Sequence, residues 1–356
     1  MTMSIPLRIA QVAPMWESVP PATYGGVERV VSHLTEELVR LGHDVTLFAS
    51  GDSVTRARLI SCSRRAWWRD PLSPGALRES LRAMSEALCD ERPFDVVHFH
   101  TDYLKFPEWN DYVSRAVTTA HLLNEDGFYD ELRWGRPSAF MVSLTKSQAS
   151  MSSMNWVRTI NLGLDDSEVQ FNEGQRPEYL AFMGRLSPNK GPERAISIAQ
   201  RSRLPIKLAG RSDELDGDHF RTVLQPLLTL PGVEYIGEVG GIRKAEFLSN
   251  AIALLFPISV PEAFGTIMVE AMACGTPVVG FNEVPVTDVV DGGLTGWIVK
   301  GEDEAVEAVA KCVTMDRKAV RRRFEERFTV ARMAANYVSL YKDVIHGSKS
   351  LLRRDI

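Results

Sequence analysis

Cysteine is scarce in this chain of 356 residues. Its four cysteines, Cys62, Cys89, Cys274 and Cys312, are scattered without a Cys-x-x-Cys pair, so reduced thiols are expected rather than a disulfide framework or a thiolate metal site. No apolar run is long enough to cross a bilayer and the N-terminus has no signal-peptide core, so the expected location is cytoplasmic. Positive charge is not in excess either. With 41 Lys and Arg against 46 Asp and Glu, the net charge of −5 argues against a surface that tracks nucleic-acid phosphates. There is no Gly-x-Gly-x-x-Gly fingerprint and no Gly-x4-Gly-Lys-Ser/Thr loop, which argues against a P-loop ATPase. Histidines and acids do not recur at metal-ligand spacing, and no metal is expected. The one Asp-x-Asp, Asp216-Gly217-Asp218, reads as a solvated helix start.

What is present is a regular alternation. Hydrophobic content of 44% and charged content of 24% belong to a globular protein, and the length predicts two domains. Strand-like runs near residues 7, 44, 95, 117 and 139, then near 179, 206, 233, 253, 278 and 297, alternate with helical patterns. That pattern predicts an α/β chain with two doubly wound parallel sheets covered by helices. The expected domains are 1–165 and 166–329, with Asp165 to Glu178 as linker. An apolar stripe through Met333, Tyr337, Leu340, Tyr341 and Val344 marks a last helix within 330–356, which either crosses back to the first domain or completes the second.

Residues 261–277 are the most informative stretch. Two carboxylates, Glu262 and Glu270, bracket a glycine turn and the start of a helix that Gly275 and Pro277 must end. An apolar strand at 253–257 precedes it, so the amides of Phe264, Gly265 and Thr266 open a helix at the carboxyl end of a sheet, where an anion is favoured. A carboxylate beside bound phosphate is repelled unless neutral hydroxyls donate to it, as a sugar and a ribose do. Taken singly, the two glutamates read rather as solvated acids, one in a loop and one on a helix surface.

A second strand, Tyr179–Met183, runs out through Gly184 and Arg185 to Lys190, so two cations leave one strand end within six residues. A guanidinium fork and a mobile ammonium together suit a diphosphate, and they also suit a solvated turn. Near the N-terminus a strand at 7–13 leads through a Pro-rich loop to Gly25 and Gly26 and an amphipathic helix ending at Gly42. The two glycines either let a ligand approach the backbone or make a flexible turn. Two histidine-bearing strand ends follow, at His98 and His100 and at His121.

Gly184-Arg185-Leu186 with Lys190-Gly191, then Glu262, Phe264-Gly265, Glu270-Ala271 and Gly275-Thr276-Pro277-Val278, resemble the C-terminal half of the retaining glycosyltransferases of family 4. The Glu-x7-Glu spacing is that family's signature. The resemblance implies the GT-B fold, two Rossmann-like domains facing a central cleft, with the donor held mainly by the second domain and the acceptor by the first. It implies a nucleoside-diphosphate sugar as co-substrate, no required cofactor or divalent metal, and a carbohydrate, lipid-linked or small-molecule acceptor. Arg185 and Lys190 match the diphosphate-binding cations, Glu262 the acid on the sugar hydroxyls and Glu270 the acid on the ribose. Ala263, Phe264, Gly265 and Thr266 match the loop whose amides face the donor. Gly25 and Gly26 match the glycine loop beside donor phosphate and sugar, and His121 the histidine that contacts the sugar. His98 is expected to pack structurally, and His100 with Asp102 to line the acceptor side, whose surface is expected in loops at 14–24, 52–75, 101–114 and 122–137; base recognition is expected near Arg211 and residues 237–243. Other enzymes of the fold, an epimerase or a phosphorylase, and a non-catalytic nucleotide-sugar sensor remain as alternatives. Arg64 to Arg69, with Trp67 and Trp68, and the basic tail at 349–354 add the expectation of a peripheral contact with the inner membrane surface, against that of a solvated loop and a frayed tail.

Overall fold

The computed structural model describes residues 5–22, 25–67, 82–88, 92–101, 112, 114–123, 138–166, 171, 176–211 and 217–347. Trp68, Arg69, Cys89, Asp102, Asp216, most of the loops expected at 101–114 and 122–137, the middle of the 165–178 segment and the basic tail lie outside them. The chain divides into two units. Leu164–Thr329 forms the second, and the segments before and after it form the first.

Seven parallel strands build the sheet of the first unit: β1 (Arg8–Val12), β2 (Asp44–Ser50), β3 (Arg58–Ser63), β4 (Val96–Phe99), β5 (Ala116–Thr119), β6 (Phe140–Ser143) and β7 (Trp156–Thr159), in the order β3-β2-β1-β4-β5-β6-β7. β4 and β5 are buried along their whole length, which only a sheet covered on both faces allows. Helix α1 (Gly26–Arg40) buries Val30, Val31, Leu34 and Leu38, one helical stripe. β3 differs from the sequence expectation, which placed an acceptor-side loop across 52–75. It is an edge strand paired with β2 from Thr46↔Arg58 onward, and only Cys62 in it is buried, so its mixed, mostly uncovered residues hide it.

The second unit has six parallel strands, β8 (Tyr179–Met183), β9 (Ile206–Ala209), β10 (Val233–Tyr235), β11 (Ala251–Phe256), β12 (Val278–Phe281) and β13 (Gly296–Val299), ordered β10-β9-β8-β11-β12-β13. The helices that matter here are α2 (Pro192–Ser202), α3 (Gly241–Ser249), α4 (Thr266–Ala273) and α5 (Arg317–Arg327). Its core gathers Leu180, Phe182, Ile196, Leu208, Leu255 and Val279 from both faces of the sheet. In both units the strand order reverses beside the first strand, at β1/β4 and at β8/β11. At such a switch point the crossovers leave in opposite directions, and a crevice opens at the carboxyl ends.

The last helix, α6 (Val330–Ile345), belongs to the first unit and is fastened there by polar contacts as well as packing. Tyr341 Oη lies 2.7 Å from His98 Nδ1 and accepts from Gln11 Nε2 at 3.1 Å. Tyr337 Oη lies 2.8 Å from Thr119 Oγ1, which lies 2.7 Å from His98 Nε2. His100 joins through Gln11 Oε1 at 2.7 Å and reaches His121 Nε2 at 3.0 Å. The chain of contacts thus links β1, β4 and β5 to α6 deep in the unit, where an unpartnered polar group costs about 1–3 kcal/mol. His100 is therefore not an acceptor-facing group, since both of its ring nitrogens are engaged inside.

Burial, helped by the neighbouring rings, holds His98 and His100 well below the ordinary histidine range. Their contribution to stability is present above about pH 6.5, the unfolded value, and is lost as acid charges the unfolded rings first. As pH falls below about 6 stability should drop, by at most about 1.4 kcal/mol per pH unit for each ring that stays neutral in the folded protein. Urea unfolding at pH 7.5, 6 and 5 measures this, and stability flat across that range would contradict buried neutral rings.

Candidate active site

The candidate residues of the second unit collect at its switch point. β8 ends at Met183, and the chain leaves through Gly184 and Arg185 into a turn closed by Lys190 N donating to Ser187 O at 3.0 Å. Pro192 then opens α2 as its first residue, where a missing N–H costs nothing. The turn is sewn to the neighbouring strand: Ser259 N donates to Asn189 O at 3.0 Å and Arg194 Nε to Pro257 O at 2.9 Å, just past the end of β11. Lys190 consequently stands over the β11 exit, and its ammonium pairs with the Glu262 carboxylate. Both side chains are 21% exposed, sheltered yet reachable. Arg185 is partly buried at the end of the adjacent strand, its flanking residue Leu186 tied by its amide to Arg211 O at 2.8 Å.

Downstream, Glu262 N donates to Val284 O at 2.8 Å, which fixes the loop, and Phe264 drops into the interior against Phe328 with ring centroids 6.1 Å apart. That anchor sets where α4 begins. Gly265 caps the helix in the left-handed region at φ 71, and a Cβ there would sit 2.9 Å from Met268 Cε and 3.0 Å from Phe256 Cζ. Only glycine satisfies both demands. No side chain caps α4, so its first amides keep their partial positive charge for a ligand. Ala263 and Thr266, both partly buried, flank that end.

Glu270 lies one turn into α4 and is paired to Lys244 of α3, Nζ to Oε1 at 2.6 Å. Lys244 was not singled out from sequence, where base recognition was expected at Arg211 and over 237–243. The signal available was a lysine one residue past that segment, on a helix packed beside the glutamate's own. Cys274 ends α4 in the interior, where burial pushes its thiol up to about 11, so it is an inert packing group.

The other candidates lie in the first unit. Gly25 caps α1 at φ 140, and a Cβ would meet Pro21 Cβ at 2.7 Å. At Gly26, by contrast, a Cβ would meet nothing within 4 Å, leaving the helix-opening backbone open on that side. His121 follows β5 and is partly exposed, and burial of its ring lowers its pKa to about 3. It is held as the neutral base. Among the described residues no group of three or more His, Cys, Asp or Glu side chains converges as a metal site, and no helix is long and apolar enough to cross a membrane.

A family model described as "Glycosyl transferases group 1" matches residues 165–328, and one described as "Glycosyltransferase Family 4" matches residues 24–149. The chain is 24% identical to O-antigen chain mannosyltransferase C of Escherichia coli over 96% of this chain and 100% of the relative. Solved structures with the same fold include AviGT4, a glycosyltransferase involved in avilamycin A biosynthesis, at a TM-score of 0.73 and 23% identity over 96% of this chain and 99% of that one. Another is Anabaena HepE in complex with UDP-glucose, at a TM-score of 0.72 and 14% identity over 95% of this chain and 100% of that one. Two sheets of reversed strand order, each overlaid by its own glycosyltransferase model and shared with enzymes of that class, place the chain among the GT-B glycosyltransferases of the family 4 type.

Proposed function

We propose that this glycosyltransferase moves a sugar from a nucleoside-diphosphate donor to an acceptor hydroxyl with retention of anomeric configuration and without a divalent metal. The observation that carries the reading is the meeting of Lys190 and Glu262 over the β8/β11 switch point, beside the uncapped start of α4. Positive charge and a carboxylate sit side by side there. A diphosphate takes Lys190 away from Glu262 because it offers more negative charge, and the freed carboxylate then accepts from sugar hydroxyls. Arg185, Lys190 and the amides following Gly265 stabilise the charge that grows on the leaving diphosphate, the task a metal performs elsewhere. Glu270 accepts from the ribose once Lys244 yields. On the first unit, the open backbone at Gly26 beside Gly25 and the neutral His121 ring are the groups offered to the donor. HepE was solved with UDP-glucose, which supports a nucleotide sugar as the ligand class. The acceptor hydroxyl attacks the face the diphosphate leaves, and a phosphate oxygen takes its proton, so no protein base is assigned.

Lys190→Ala should weaken free nucleoside-diphosphate binding and turnover together, each by about 10- to 100-fold, since a charge-assisted contact is lost. Isothermal titration and initial rates measure the two; normal donor kinetics would discredit the phosphate role. Glu262→Gln should lower kcat by a similar factor while free nucleoside-diphosphate affinity holds or rises, because Lys190 loses its competitor. A Glu262→Gln enzyme that turns over normally removes the sugar-binding role. Across a panel of nucleotide sugars and free nucleoside diphosphates, the cognate donor should raise Tm most. Incubation of that donor without acceptor should leave it intact or slowly hydrolysed, whereas conversion to an epimer would sink the transferase reading.

A further inference from the structure

The buried polar chain of the first unit contains one group with a fixed direction. The hydroxyls of Tyr337, Tyr341 and Thr119 both donate and accept, and a neutral imidazole donates from one nitrogen while accepting at the other. Such groups relay whatever polarity they receive. The Gln11 amide differs, because its Nε2 only donates and its Oε1 only accepts. Nε2 faces Tyr341 Oη and Oε1 faces His100 Nε2, 3.1 and 2.7 Å away. His100 must therefore carry its proton on Nε2, which leaves Nδ1 bare.

That bare nitrogen lies 3.0 Å from His121 Nε2, so the contact is a hydrogen bond only when His121 donates from Nε2. The proton of His121 is thereby assigned, and its Nδ1 keeps a lone pair. No hydrogen bond from the described residues occupies that Nδ1. Burial keeps the rings neutral, so a second proton does not blur the assignment. Turning the Gln11 amide over would reverse every proton along the chain, including that of His121.

We propose that Gln11, acting through His100, is a positioning residue that fixes His121 as the Nε2–H tautomer and presents Nδ1 as an acceptor for a hydroxyl of the transferred sugar. The assignment of the sugar as partner rests on the function proposed above; the tautomer does not. A lone pair at this place welcomes an O–H and repels a phosphate oxygen, so it sorts the sugar end of a donor from its charged end. Gln11 itself touches no substrate, being fully buried in the central strand β1.

Histidine ring nitrogen-15 spectra of the whole protein read the tautomer directly, with His121 assigned by its loss in His121→Phe. The wild type should show His121 protonated on Nε2 and bare on Nδ1. Gln11→Met, similar in shape but without direction, should convert that signal to a mixture of tautomers. The kcat/KM for the nucleotide sugar should fall about tenfold, the worth of one lost hydrogen bond, while free nucleoside-diphosphate affinity stays unchanged. Should Gln11→Met fail to fold, His100→Leu makes the same comparison. A wild-type His121 protonated on Nδ1, or a folded variant whose His121 signal is unaltered, overturns the proposal. These spectra need no turnover: loss of nucleotide-sugar binding by the wild type would refute the proposed function and leave the tautomer standing or falling by itself.

Discussion

A parallel strand buried on both faces has only its ends free, and that constraint governs everything above. Side chains along β4, β5 or β11 face helices and must be apolar or fully partnered. Chemistry is therefore pushed to the carboxyl ends, and it concentrates where two neighbouring strands send their crossovers in opposite directions. In the second unit that place is β8 beside β11, and it holds Arg185, Lys190 and Glu262. In the first unit it is β1 beside β4, with α1 opening after β1 and the histidine rows beginning at β4.

The two units handle polarity in opposite ways. Lys190 with Glu262 and Lys244 with Glu270 are ion pairs left partly in reach of solvent, where opposite charges hold one another without full desolvation. Such pairs exchange partners readily when a more strongly charged ligand arrives. The first unit instead keeps three imidazoles, two phenols, a threonine and an amide neutral, each bonded to the next. A network of neutral groups in a low-dielectric interior is rigid because each broken contact leaves an orphan. One arrangement favours exchange and the other favours fixity.

Much of this was legible in the sequence because local rules and global fold agree. The helix predicted from Gly265 or Thr266 to Cys274 spans Thr266–Ala273, since Gly275 and Pro277 admit no continuation. The apolar strand runs were equally plain. What stayed hidden depends on neighbours far along the chain. β3 mixes apolar and polar residues and buries only Cys62, so its pairing with β2 rather than its composition makes it a strand. Lys244 gains its meaning from Glu270, 26 residues away. Gln11 stood as one polar letter in an apolar strand. Only the return of Tyr341, 330 residues later, shows what its amide bonds.

That return makes the second unit an insertion within the first, since Leu164–Thr329 lies between the two stretches that build the other. As a chain emerges from the ribosome, folding usually proceeds from the N-terminus forward. Here the polar interior of the first unit cannot close until its last helix is made. β1, β4 and β5 are synthesised long before Tyr337 and Tyr341 exist to satisfy Gln11, His98 and Thr119, so the earlier-made unit must wait for the later one to be translated. A nascent chain that has emerged as far as residue 330 holds all of the second unit beside an N-terminal portion whose polar interior is still open.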